Sequence, residues 1–401
     1  MAASTINSFP GYEFKEVEGF RGPQNVYRGE VIGFGGYIRS WPGIYHNVAL
    51  LDVQSMHPSS AIAMNVFGKY TKNFEDILNA RIAIKHGDYD SVRHMFGGKL
   101  SPYLEDESTA KQLAQALKIA INSVYGLTSA SFDNPFRDPR NKNNIVALRG
   151  ALFMKTLQDE VIDRGYQIVA IKTDSIKIAN ADDLIINFCI EFAKKYGYSF
   201  DHEADYDRIC QINDADYIAK TTDGRWTATG KQFQVPYVFK SLFSHEDLVF
   251  NDLCVTQQVK SALYLDMNEG LTSCEAAEKE LSYRDKHDVV DDYIGYKDPA
   301  FKEVSDDELR AFIAKSHNYI FVGRIGQFCP IKPGCGGGVL LREQNGKYYA
   351  AAGSKGYRWM ESEMVRNLGK EDQIDVGYFN KLVDDAIDNI SKYGDFEAFV
   401  A

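Results

Sequence analysis

Gln167-Ile168-Val169-Ala170-Ile171-Lys172-Thr173-Asp174-Ser175-Ile176-Lys177-Ile178-Ala179 is the stretch on which the reading of this chain turns. Two short runs of β-branched and apolar residues, 167–171 and 176–179, flank the polar Lys172-Thr173-Asp174-Ser175. The pattern predicts a hairpin whose tip presents a carboxylate. An Asp at a hairpin tip commonly does no more than make the turn. A second stretch gives it another meaning. Val48-Ala49-Leu50-Leu51-Asp52-Val53-Gln54-Ser55-Met56-His57-Pro58-Ser59 reads as an apolar strand that delivers Asp52 at its end and is broken by Pro58. Its near-continuous apolar run predicts a central strand covered on both faces. If the two stretches pair in one sheet, Asp52 and Asp174 come together. Two such carboxylates can share two hard cations about 3.5–4 Å apart and support an in-line phosphoryl displacement.

The clearest predicted helix lies between them, over residues 109–125. Leu113, Leu117, Ala120, Ile121 and Val124 fall on one stripe, and Lys111, Gln115, Lys118, Asn122 and Tyr125 on another. The polar stripe combines cations with an aromatic ring, which suits a nucleotide, and Gly126 is expected to end the helix. A helix over 73–95 puts Arg81 and Lys85 on one face, four residues apart, with Ile77 and Ile84 directed inward. Two cations one turn apart serve either as a solvated face or as phosphate ligands. Further helices are expected over 145–165, amphipathic and behind the sheet, and over 181–196.

Three of these stretches resemble the hallmark motifs of family B DNA polymerases, which run D-x-x-S-L-Y-P-S, K-x-x-x-N-S-x-Y-G and D-T-D-S. Here they read Asp52-Val-Gln-Ser-Met-His-Pro-Ser59, Lys118-Ile-Ala-Ile-Asn-Ser-Val-Tyr-Gly126 and Lys172-Thr-Asp-Ser175, in the same order. The resemblance covers about residues 30–245 and is weaker beyond, where the chain looks like the thumb end of a phage or plasmid polymerase. It implies a mixed α/β (α+β) fold with a palm of antiparallel sheet and helices, helical fingers, and a mixed thumb and C-terminal region. The domains it implies are a lead-in with a Gly-rich joint (1–46), palm (47–70 and 131–245), fingers (71–130), and thumb with C-terminal extension (246–401). It also implies a DNA-templated DNA polymerase that adds dNTPs to a primer 3′ end, with two Mg2+ ions, or Mn2+, as cofactors.

Carried over by position, the resemblance assigns Asp52 and Asp174 to catalysis. It assigns Asp52, Val53, Asp174 and Glu203 to metal. Arg81, Lys85, Lys118, Asn122, Tyr125 and His57 would meet the dNTP, and Lys172, Tyr217, Lys220, Lys231, Gly35 and Gly36 the primer and template. Three departures matter, and one further match. His57 stands where the family has the Tyr that packs on the incoming sugar, so exclusion of ribonucleotides comes into question. Lys172 replaces the first Asp of the third motif; the metal-binding Asp is the second, so the assignment rests on Asp174, and Lys172 becomes a candidate for the primer phosphate. Asn213-Asp214-Ala215-Asp216-Tyr217 occupies the place of a lysine-rich K-K-x-Y segment; Tyr217 matches, and Lys220 or Lys231 would take over the missing contact. A Gly-rich run, Gly33-Phe34-Gly35-Gly36-Tyr37, lies where the family has a template-contacting Gly-Gly segment; an ordinary hairpin or bulge is the competing reading.

The composition is compatible with this but does not demand it. The 401 residues exceed one simple core, and 44% hydrophobic with 25% charged residues is a globular balance. No apolar run reaches the roughly 20 residues of a membrane span. The N-terminal Met-Ala-Ala-Ser-Thr lacks the features of a signal peptide. The six cysteines form no C-x-x-C pair, which suits reduced thiols and a cytoplasmic location, the host cytoplasm for a phage protein. The net charge of −11 is unevenly spread. Acidic residues such as Glu275, Glu278, Asp285, Asp291 and Glu308 crowd 266–308, while Lys69, Lys72, Arg93, Lys99, Arg137, Arg140 and Lys142 are among the cations of 69–142. A basic groove in an acidic body fits a nucleic-acid partner.

Beyond residue 245, helices are expected near 248–265 and 306–316, then a β-rich segment from Tyr319 to Ala350. Lys355, Tyr357, Arg358 and Trp359 suit either a nucleic-acid contact or a packed corner. Residues 1–30 read as an extended lead-in with Glu13, Glu16 and Glu18 but no D-x-E motif, so a 3′–5′ exonuclease within this chain is not expected, and an exonuclease on a separate chain, or other replisome proteins, would be partners. Two rival functions are a catalytically silent nucleic-acid-binding subunit and a primase-polymerase of relaxed sugar choice.

Overall fold

A computed structural model describes residues 9–16, 22–33, 35–138, 144–267 and 318–401. The acidic run 268–308, the helix expected at 306–316, Phe34, Glu18, Arg140 and Lys142 lie outside these residues. The chain divides into two compact units, one of residues 1–230 with 389–399 and 401, the other of 231–388 with 400.

The first unit is built on an antiparallel sheet, and among the described residues its strand order is β10-β9-β8-β5-β7-β6-β4. The strands are β4 (Ile38–Ser40), β5 (Gly43–Val53), β6 (Gln167–Lys172), β7 (Ser175–Ala179), β8 (Phe200–Gln211), β9 (Tyr217–Thr221) and β10 (Trp226–Thr229). The expected hairpin is β6–β7, and the Asp52 strand is its neighbour, with Leu51 opposite Ile176 and Asp52 opposite Ser175. On its other side β5 pairs with β8, and there Asp52 opposes Asp201. Side chains alternate across a strand. Leu51, Val53, Ile176 and Ile178 therefore pack into one core with the helices behind the sheet, while Val48, Leu50, Val169 and Tyr206 cluster on the other face. Asp52, two residues beyond Leu50, belongs to that second face.

Behind the sheet lie α5 (Ile145–Asp163) and α6 (Asp183–Lys194). An amphipathic helix was expected at α5, but every residue from Val146 to Gln158 is buried. The reason is a cover on its far side. The lead-in is a three-stranded sheet, β1 (Tyr12–Glu16), β2 (Pro23–Tyr27) and β3 (Glu30–Ile32), not an extended segment. Tyr27 lies 3.0 Å from Thr156 Oγ1, and the buried Lys155 is held 3.0 Å from Glu30 and 2.6 Å from Asp159. A buried ammonium between two carboxylates satisfies the demand that buried charges be paired.

Between β5 and β6 the chain forms α1 (Met56–Ala63), α2 (Thr71–Lys85), α3 (Asp90–Arg93) and α4 (Glu107–Leu127). The helix expected over 73–95 is thus broken at His86-Gly87, where Gly87 takes φ 78°. In α4, Asp106 caps the N-terminus through Thr109 N at 2.8 Å. The stop expected at Gly126 is also corrected: Gly126 stays helical and the end comes at Thr128, whose hydroxyl donates to Tyr125 O at 2.6 Å. Ile121 is buried as the stripe demanded, but Ala120 is exposed. Farther along, the short helix Phe396–Val400 lies against the first unit's sheet: Arg208 Nη1 donates to Phe399 O at 3.0 Å, and the Phe399 and Trp226 rings are 5.6 Å apart.

The second unit opens with α7 (Pro236–Phe239) and contains the sheet β14-β13-β11-β12-β15. Its strands are β11 (Val255–Asp266), β12 (Tyr319–Ile331), β13 (Val339–Gln344), β14 (Lys347–Ala350) and β15 (Arg358–Glu361). The β-rich reading of 319–350 agrees with it, but the helix expected over 248–265 is β11. Gln257, Leu263, Leu265 and Asp266 are its buried positions, a pattern that only pairing with β12 and β13 makes decisive. The Lys355–Trp359 stretch is a packed corner: Trp359 is buried and donates to Ser354 O at 3.0 Å, and Arg358 donates to Gly336 O at 3.1 Å. Among the described residues no helix is long and apolar enough to cross a membrane.

Candidate active site

Asp52 reaches its place because β5 is central and its last turn of alternation points away from α5. Asp174 reaches the same place from the β6–β7 tip, where Thr173 adopts φ 59° and its N–H donates to Tyr37 O at 2.9 Å. The backbone locks the two together, since Val53 N donates to Asp174 O at 2.8 Å. Both carboxylates line one cavity of about 250 Å³, with Val53 beside them. Burial pushes the Asp52 carboxyl up to about 7, and the negative charges of Asp174, Glu203 and Asp201 push the same way against the pull of Lys85. Burial also raises Asp174, while a backbone hydrogen bond and His57 oppose the shift.

Carboxylates crowded to this degree fit a divalent cation, which would relieve their mutual repulsion. Among the described residues no group of three or more His, Cys, Asp or Glu side chains forms a ready-made metal shell. An ion here would complete its coordination with backbone, water or phosphate oxygens, the habit of Mg2+.

The cavity's opposite wall is cationic. Arg81, Lys85, Lys118 and Asn122 all line it. Arg81 Nη1 donates to Ser55 Oγ at 3.0 Å. Ser55, at φ 54°, makes the turn from β5 into α1. His57 and Tyr125 are neighbours, with ring centroids 5.6 Å apart and planes tilted by 32°. Tyr125 donates to Asn144 Oδ1 at 3.2 Å. Burial lowers the His57 pKa, so the imidazole is neutral, and its Nδ1 is buried without a hydrogen-bond partner.

The remaining expected residues are dispersed. Glu203 is exposed and does not line the cavity; the β8 carboxylate that does is Asp201. A register shift between Leu50 and Leu51 bulges β8 and brings Asp201 opposite Asp52. Lys172 ends β6 on the exposed side. Tyr217 lies under the buried Lys177, whose Nζ is 4.0 Å from the ring centroid. Lys220 covers Trp226 at 5.4 Å, and Lys231 falls in the second unit. Gly36 pairs with Gly33 in an isolated bridge, and a Cβ on it would sit 3.0 Å from Thr173 Cγ2. Asp201, Gln54, His86 and Lys177 were not singled out from the sequence. Asp201 lies in the same run as Glu203, and only the bulge decides between them.

No family model matches this chain. Over 158 residues it is 30% identical to DNA polymerase II of Escherichia coli (strain K12), a match covering 35% of this chain and 19% of that protein. Over those residues the chain is similar to a DNA polymerase. The family B DNA polymerase of the archaeon Pyrobaculum calidifontis aligns in structure with a TM-score of 0.45 and 15% identity, covering 96% of this chain and 48% of that one. The chain thus spans about a fifth of the curated relative and about half of the solved polymerase.

Proposed function

We propose that this chain is a DNA-templated DNA polymerase that adds dNTPs to a primer 3′ end. The observation that carries the reading is a single cavity in which Asp52 and Asp174 face Arg81, Lys85 and Lys118. In this reading residues 47–70 and 131–245 form the palm, 71–130 the fingers and 246–401 the thumb with its extension. Its support is that β5 pairs with β7 and β8 across the intervening helices. Asp52, Val53 and Asp174 would hold two divalent ions, which when bound supply neutralising charge for the phosphates and acidify the primer hydroxyl. The chain's own cations do the rest. Arg81 and Lys85 lie one turn apart on α2, and Lys118 faces them from α4; together they match the charge spread along a triphosphate. His57 and Tyr125 do not line that cavity, but their neighbouring rings would meet the sugar and base.

A second reading, relaxed sugar choice, draws on His57. A small neutral ring with an unpartnered buried nitrogen offers a ribose hydroxyl a hydrogen bond where a bulkier ring would exclude it. Magnesium-dependent extension of a primed template, with dNTPs and rNTPs in parallel, tests both. No extension with either overturns the polymerase reading and leaves a silent nucleic-acid-binding subunit.

A further inference from the structure

Asp201 opposes Asp52 across β5 and β8, yet its carboxylate is spent elsewhere. It accepts a hydrogen bond from Gln54 Nε2, and its two oxygens lie 3.3 Å from Lys85 Nζ and 3.7 Å from His86 Nε2. Lys85 closes α2 and His86 follows it. One turn earlier Arg81 is fastened to Ser55. The tip of α2 is therefore tied at two points, to β8 and to the turn that follows β5. Lys85 also stands between two cavities, the one described and a second of about 510 Å³ that Lys111 and Lys118 line from α4.

We propose that Asp201 is a catch that competes with the nucleotide's triphosphate for Lys85, with His86 as its second tie to the α2 tip. Without nucleotide the carboxylate holds the α2 tip. A triphosphate carries more negative charge than one carboxylate and draws Lys85 away. Asp201 is then a positioning residue that sets the apparent affinity for nucleotide. This rests on the reading of the cavity as a triphosphate site.

Steady-state primer extension is the test. Asp201→Asn removes the charge and keeps the shape, and KM for dNTP is expected to fall about two- to tenfold, the range for one or two half-exposed ion pairs. His86→Ala is expected to move KM the same way by less. In a Lys85→Ala background, Asp201→Asn is expected to change KM no further. A fall in kcat at unchanged KM, or an equal KM shift with and without Lys85, overturns the proposal. A second measurement needs no turnover. Amide hydrogen exchange across residues 83–88, without nucleotide, is expected to be faster in Asp201→Asn than in the wild type, and equal exchange overturns the catch. A wild type that extends no primer would sink the polymerase reading instead, and the exchange result would still judge the tie.

Discussion

Asp52 is a carboxyl that the fold makes reluctant to ionise. In the unfolded chain it loses its proton at the ordinary carboxylate value; in the folded chain it does so only near 7. Between those values the folded state holds the extra proton, so in the absence of cations stability falls as pH rises through that window. Asp52→Asn is therefore expected to raise the Tm at pH 7.5 in chelator, while added Mg2+ raises the wild-type Tm and leaves the variant's unmoved. Activity should follow the opposite course. Nucleotide addition is expected to fall as pH drops through about 7, with a midpoint that moves lower as Mg2+ is increased. Asp52→Asn and Asp174→Asn are each expected to cost roughly a thousandfold in kcat, several kcal/mol of charge stabilisation, with duplex binding retained. Near-normal rates in either would refute the assignment. At His57 the measurement is the rNTP/dNTP incorporation ratio, expected to rise in His57→Ala where the ring filters the sugar and to fall where its nitrogen holds the ribose hydroxyl; an unchanged ratio moves sugar choice elsewhere.

At the level of elements, the β6–β7 tip depends on a neighbour that carries no chemistry. Gly36 holds φ 147°, and its missing side chain leaves room for Thr173, itself at positive φ. Gly36→Val would strain the backbone and press on Thr173. The expected cost is about 1–3 kcal/mol of stability and a several-fold drop in kcat from a displaced Asp174, checked by denaturation and primer extension. Wild-type behaviour would mean the bridge tolerates a Cβ. The hairpin, β5 and α4 were legible in the sequence because each carries its own periodicity and its motif residue at an element end. Three features were not. The bulge in β8, which favours Asp201 over Glu203, has no local signature. The burial of α5 depends on a sheet more than a hundred residues away in sequence. β11 has a mixed pattern that a helix accommodates as well as a strand until its partners are known.

At the scale of the molecule, the two units have separate cores. Trp359 anchors the second, edge-on to Tyr378 at 5.1 Å. Trp359→Ala should destabilise that unit by about 3–5 kcal/mol. The other two tryptophans, Trp41 and Trp226, lie in the first unit, so the variant's fluorescence reports that unit alone. Its unfolding curve is expected to separate from the one followed by circular dichroism, with the dichroism midpoint lower; coincident curves would mean one cooperative unit. How the chain is shared between the units could not be read in advance. Residues 389–399 return to the first unit after the whole second one.

That return sets a clock on the ribosome. Arg208 and the Phe399 carbonyl that receives it are 191 residues apart. At roughly 5–20 residues per second, β8 emerges about 10–40 s before its final acceptors exist. For that interval the strand bearing Asp201 keeps a wet guanidinium, and Trp226 lacks the ring that later packs on it. The nascent sheet is therefore exposed to mispairing for longest at its β10 edge, and slower translation lengthens that exposure.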